Sequence, residues 1–143
     1  FPSKEALVNT LYRDWKEFQI RKIKGEAVED TSLRAQFRIY WNRMIRFALD
    51  HPTAFSFLML HFHAPYLDED SLALEESGRQ ALLAFFNECR RQQVVKDLPS
   101  DFLGSLVWGT YVGFIKGGRT GVFPLNQEMI DKAEECCWEA IRC

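Results

Sequence analysis

Three groups of side chains in this 143-residue chain are of types that could do chemistry. His61-Phe62-His63 offers two imidazoles, the commonest neutral metal ligands. Two residues apart on a helix, they point about 200° from each other, so both cannot ligate one ion, though either could join distant residues such as His51 or Cys89. No ligand spacing demands this, and the expectation is no metal and no cofactor. Cys136-Cys137 is adjacent rather than C-x-x-C, and with Cys89 and Cys143 it reads as a set of reduced thiols that fill apolar space. Gly117-Gly118-Arg119-Thr120-Gly121 has the glycine content of a phosphate cradle. Such a cradle follows a strand and carries Lys-Ser/Thr in fixed register. This one follows a helical segment, so it reads as a helix C-cap and turn. An enzyme would have to use His61 or Cys89, and no nucleophile, base and orienter stand in a recognisable pattern. The chain therefore reads as a non-enzyme.

Binding chemistry is better supplied. The chain holds 12 Phe, 4 Trp and 4 Tyr, enough to build a large core. Trp41, His61, Trp108 and Tyr111, however, bring polar edges onto otherwise inward faces, and buried polar edges need partners. Together with Phe37, Met44, Phe57, Phe85 and Cys89 they form a candidate ligand-binding lining, apolar with a few polar handles.

The elements that must position these residues are all helical. Ser3 caps a segment running to about Ile23, with Leu7, Val8, Leu11, Trp15 and Phe18 on one face. A polar loop follows from Gly25 to Asp30. Thr31 or Ser32 caps a second helix striped by Leu33, Phe37, Tyr40, Trp41, Met44 and Ala48, which His51-Pro52 stops. The third, Thr53 to about Phe62, is apolar nearly all round and should be enclosed by the others. Ser71 caps a fourth running to about Gln93, with Leu74, Ala81, Leu82, Phe85, Phe86 and Cys89 inward. A fifth spans Asp101 to Lys116, and Asn126 caps the last. Val94-Val95 is too short for a strand, and the fold class is an all-α bundle of six helices in one domain.

Composition sets the outer limits. Lys and Arg total 18 against 20 Asp and Glu, a net charge of −2 without a basic block, so this stretch is a poor nucleic-acid surface. No apolar run of about 18 residues spans a membrane, no secretory leader opens the chain, and the expected compartment is the cytoplasm. The chain opens without an initiator Met, which reads as an upstream part removed.

Gly104, Gly109 and Gly113 sit inside the fifth helix, each costing about 1 kcal/mol against Ala. Something must offset that. Gly109 and Gly113 share a face with Phe102 and Leu106, leaving a shallow strip for another backbone. Ile130, Ala133, Cys137 and Ile141 make an apolar stripe on the last helix. Two striped terminal helices suggest a homodimer seam, two from each subunit forming a four-helix bundle.

The opening run Phe1-Pro2-Ser3-Lys4-Glu5-Ala6-Leu7-Val8 resembles the segment that leaves the DNA-recognition helix of tetracycline-repressor (TetR) family regulators and opens their long linking helix. Phe1 matches that motif's Phe, Ser3 its cap, and Lys4, Glu5 and Leu7 follow in register. Leu106-Val107-Trp108-Gly109 through Cys137-Trp138-Glu139-Ala140-Ile141 is also similar to the family's C-terminal helices. The resemblance implies an effector-binding and dimerisation domain over residues 1–143, with residues 1–23 as the linking helix. It implies a small hydrophobic or aromatic effector among the second to fifth helices. It further implies a transcriptional repressor that meets operator DNA only through an N-terminal helix-turn-helix not contained in this sequence. The competing reading is a stand-alone helical carrier of apolar molecules.

Overall fold

Short polar side chains start most of the helices. In the computed structural model, which describes residues 3–28 and 31–143, α1 spans Lys4–Lys24 and the Ser3 hydroxyl accepts from the Ala6 N–H at 3.0 Å. Helix α2 (Leu33–Asp50) is capped by Ser32, whose hydroxyl accepts from Ala35 at 3.1 Å. Pro52 opens α3 (Pro52–His61), where its missing N–H is harmless. Helices α4 (Glu69–Arg91), α5 (Ser100–Arg119) and α6 (Gln127–Ile141) complete the chain, and Asn126 caps α6 on the Met129 N–H at 3.0 Å. Phe1 and Pro2 of the opening motif, and Glu29 and Asp30 of the first loop, lie outside the described residues.

The six-helix, all-α architecture agrees with the sequence reading, and the β contact among the described residues is a single bridge between Val95 and Arg142. Several details differ. The cap of α4 is Asp68, not Ser71: its carboxylate accepts from the Ser71 N–H at 2.9 Å, leaving Ser71 buried in the first turn. That bond, together with Arg13 at 2.8 Å, holds the Asp68 carboxyl below the usual carboxylate range. Helix α5 runs through Gly117, Gly118 and Arg119, so the turn begins only at Thr120. Helix α3 is not enclosed: it rests on α1 and α2, burying Ala54, Phe55 and Leu58 and leaving Leu60 76% exposed.

A greater difference concerns α1. Its buried stripe is Asn9, Tyr12, Lys16 and Gln19, whereas Leu7 and Leu11 of the expected apolar face are exposed. The end of α1 is fixed by Gly25 in a left-handed turn at φ +52°, with the Arg43 guanidinium donating to the carbonyls of Lys24 (2.6 Å) and Glu26 (3.2 Å). The positive φ favours glycine here, and a Cβ on Gly25, 2.7 Å from Arg43 Cζ, would also push the guanidinium aside.

Helix α6 folds back on its own chain. Ile130, Cys137 and Ile141 are buried within it, together with Trp138, which lies 5.1 Å from Phe37 between ring centres. That corrects three of the four α6 positions expected at a dimer seam; Ala133 alone is partly exposed. Burial pushes the Cys137 thiol up to about 11 and the Cys89 thiol up to about 12, keeping both protonated. A second tie is ionic. Glu134, only 2% exposed, is gripped by both terminal nitrogens of Arg34, one at 2.8 Å, with Arg38 at 3.4 Å. The pairing raises the affinity of Arg34 for its proton.

Arg34→Met would leave the buried Glu134 carboxylate with the weaker Arg38 contact alone. Because Arg34 is about one-third exposed and Arg38 remains, the expected loss falls below the roughly 3–5 kcal/mol of a fully broken buried pair, at about 2 kcal/mol, measured by urea denaturation. A loss under about 0.5 kcal/mol would show that solvent already screens the pair.

Candidate functional site

Small residues on α4 and α5 leave a gap that the aromatic side chains of α2 do not fill. The result is a cavity of about 1000 Å³ bounded by α1, α2, α4 and α5. On α4, a Cβ at Gly78 would press on Ile20 at 3.2 Å, so the glycine lets α1 lie close there. The Lys16 chain passes the same spot and brings its ammonium 5.9 Å from the centre of the Trp108 ring.

The wall is mostly apolar, with Phe37, Met44, Leu82, Phe85, Phe86 and Val107 among its residues. Its polar atoms are unusual. Among the described residues, three buried side-chain atoms lack a hydrogen-bond partner: Gln19 Nε2, Trp41 Nε1 and Glu75 Oε2. All three residues line this cavity, and Gln19 and Trp41 are 2% and 1% exposed. Buried polar groups are almost always satisfied, so three orphans on one wall mark a place built for something else to contact. Lys16 has a single hydrogen bond, to Gln19 Oε1 at 3.1 Å, and its desolvation lowers its pKa against the pull of Glu75.

Glu75 organises the far side of this wall. Its Oε1 accepts from the Tyr12 hydroxyl and from the His63 backbone N–H, the latter at 3.0 Å. Desolvation, then the Glu75 bond, raises the Tyr12 pKa, so the phenol stays protonated and donating. His63 takes up a left-handed φ of +54°, which turns its N–H to Glu75. Its Nδ1 also lies 3.0 Å from Glu75 Oε2, an oxygen with no hydrogen-bond partner among the described residues.

Of the nine residues expected to line a pocket, Phe37, Trp41, Met44, Phe85 and Trp108 stand on its wall. The other four do not. Tyr111 is fully buried and donates to the Met44 carbonyl at 2.8 Å, Cys89 lies in the core, and Phe57 packs on His61 with ring centres 4.5 Å apart. His61 pairs through Nδ1 with the Tyr66 hydroxyl. Since α3 ends at His61, His63 lies beyond it, and the helical geometry used to separate the two imidazoles does not apply. Among the described residues, no group of three or more His, Cys, Asp or Glu side chains could hold a metal ion. The periodicity argument missed Lys16, Gln19 and Glu75. The signal was present as a polar stripe at helical spacing, Asn9-Tyr12-Lys16-Gln19.

With this architecture in view, comparison with known proteins is direct. Residues 13–143 match the family described as "Tetracyclin repressor-like, C-terminal domain", and the chain belongs to that family. Solved structures share the fold at low sequence identity. A protein of unknown function from Rhodococcus sp. RHA1 superposes with a TM-score of 0.87 at 16% identity, over 100% of this chain and 75% of that one. A TetR family transcription regulator from Marinobacter aquaeolei VT8 gives 0.86 at 20% identity, over 99% and 74%. A TetR-family transcriptional regulator from Haemophilus influenzae Rd gives 0.79 at 20% identity, over 100% and 75%. No curated protein matches the sequence. No helix among the described residues is long and apolar enough to cross a membrane.

The lowered pKa of Lys16 has a consequence for stability. Between its folded value and that of the unfolded chain, the folded state binds fewer protons, so stability rises with pH across that window. Lys16→Met removes the buried ammonium and should stabilise the empty protein by about 1 kcal/mol at about pH 7. The margin over the native chain should shrink as pH is raised to about 9.5, read from urea midpoints at both values. A margin independent of pH would rule out the ammonium as its source.

Proposed function

We propose that this chain is the effector-sensing and dimerising part of a transcriptional regulator, with residues 1–143 as one domain and residues 1–23 as the helix that links it to a DNA-binding head. Family membership supports the regulatory role. One observation carries the sensing role: the inner face of α1 forms part of the cavity wall, through Lys16 and Gln19, while the same face is pinned to the rest of the domain. Asn9 donates to the Tyr66 carbonyl at 3.0 Å and accepts from the Asp68 N–H at 2.8 Å. Ser71 donates to Asn9 at 2.8 Å, and Arg13 bridges to Asp68.

A ligand touching Lys16 and Gln19 acts on α1 itself. Two positions of that helix that differ in their contact with the ligand would differ in population once the cavity fills. In a two-headed protein this changes the separation of recognition helices, which must match half-sites about one DNA turn apart. On this reading the effector releases the operator and relieves repression.

Dimerisation is supported by the outer face of α5. Phe102 and Leu106 are exposed, and a Cβ built on Gly109 or Gly113 meets nothing within 4 Å among the described residues, which leaves room on this strip for a partner. On α6 the outward neighbours are Met129, Ala133, Cys136 and Ala140, which would face the partner in place of Ile130, Cys137 and Ile141. The cytoplasm is the compartment such a regulator requires.

The sensing reading is tested with the fluorescent probe 1-anilinonaphthalene-8-sulfonate. Binding should slow amide exchange over residues 12–24 of α1. A filled cavity with unaltered exchange in α1 would disconnect the site from the linking helix and favour the carrier. For the seam, Gly113→Leu should shift the protein toward monomer in sedimentation with helix content unchanged, because open space surrounds that position within the subunit. An unaltered sedimentation profile would remove the α5 strip from the interface.

A further inference from the structure

We infer that the cavity takes an organic carboxylate with a large apolar body, its carboxylate held by Lys16, Gln19 and Trp41; this rests on the sensing reading above and specifies its ligand.

The argument is an inventory of unused hydrogen-bond capacity. Trp41 Nε1 has one N–H and no acceptor, and Gln19 Nε2 has two. The Lys16 ammonium has three and uses one, on Gln19 Oε1 at 3.1 Å. The wall thus presents five unused N–H donors from three residues, each at least nine-tenths buried. Opposed to them is one unpartnered acceptor, Glu75 Oε2, which already has the His63 ring nitrogen 3.0 Å away. A ligand that completes this wall must bring acceptors, and more than one.

Charge narrows the class further. Lys16 is a buried cation whose nearby carboxylate, Glu75, is engaged by the Tyr12 hydroxyl and the His63 N–H. An ester or ketone would satisfy donors without giving the ammonium the direct ionic contact that Glu75, which attracts it from farther off, does not make. A carboxylate does both, and charge-assisted hydrogen bonds are the stronger kind. An amine is disfavoured twice, since it adds donors to donors and a second positive charge beside Lys16. The other buried lining side chains, Phe37, Met44, Leu83, Phe86 and Val107, are apolar, while the charged ones, Lys24, Glu76, Arg79 and Asp101, are exposed, so the part of the ligand that lies inside is hydrocarbon or aromatic.

The test uses matched probes on the whole chain by isothermal titration: dodecanoate, methyl dodecanoate and dodecylammonium, all below their micelle concentrations, with 2-naphthoate and methyl 2-naphthoate as the aromatic arm. Each acid should bind at least tenfold more tightly than its methyl ester, with dodecylammonium weakest. Whichever acid binds better identifies the body as aliphatic or aromatic. Lys16→Met should weaken the acids at least tenfold and the esters by a clearly smaller factor, since an ester loses a hydrogen bond but no ionic contact. Gln19→Leu should weaken the acids by a smaller factor. Esters binding as well as acids in the native chain would overturn the assignment while leaving the cavity a sensor, whether or not the variants fold. Equal weakening of acid and ester by Lys16→Met would also overturn it. If none of the five probes binds, the carboxylate assignment and the sensing reading both fall.

Discussion

The structure turns on a helix whose inner face is polar. A buried Asn, Tyr, Lys and Gln on α1 cannot be held by apolar contact, so the rest of the domain must supply partners at fixed positions. Asn9 finds them in the loop before α4, Tyr12 finds Glu75, and both bonds join residues about sixty positions apart in sequence. Such contacts fix the height and rotation of α1 more narrowly than an apolar seam would, because a hydrogen bond fails over a few tenths of an ångström. Farther along the same face, Lys16 and Gln19 bond each other and meet the cavity. The helix is therefore well anchored at one end and incompletely satisfied at the other.

This distribution explains which parts of the molecule were legible in the sequence. The six helices follow from caps and breakers acting over three or four residues: Ser3, Ser32, Asn126 and Pro52 all behave as local chemistry requires. The stripe of α2 was equally legible, since Phe37, Trp41, Met44 and Ala48 are all buried where the period puts them. The orientation of α1 was not. Apolar spacing favours Leu7, Leu11 and Trp15, whereas the bonds to Tyr66, Asp68 and Glu75 that bury the opposite stripe are invisible to any local rule. The last helix errs for a related reason: a period locates an apolar face but not the neighbour that covers it. Ile130, Cys137 and Ile141 are covered by the same chain, leaving the next face outward.

The cavity, likewise, was only half legible. Aromatic residues on inward faces pointed to Phe37, Trp41, Phe85 and Trp108. The groups that confer chemical character came from residues that pattern reading assigns to solvent, Lys16 and Glu75 above all. Tyr111 illustrates the converse. Its polar edge suggested a pocket, but the Met44 carbonyl satisfies it at 2.8 Å, and a satisfied hydroxyl in a full core is a packing element.

Leaving N–H groups unanswered on an interior wall raises the free energy of the empty protein before any small molecule arrives. A compound that answers them is therefore detectable without knowing any gene under control. At a hundred times its dissociation constant, a ligand that binds only the folded form adds about 2.7 kcal/mol to stability, enough to shift a melting curve by several degrees in a domain of this size. Heated in the presence of fractionated metabolites, the protein would act as its own selector, and a fraction that delays melting would contain a compound that binds the folded form.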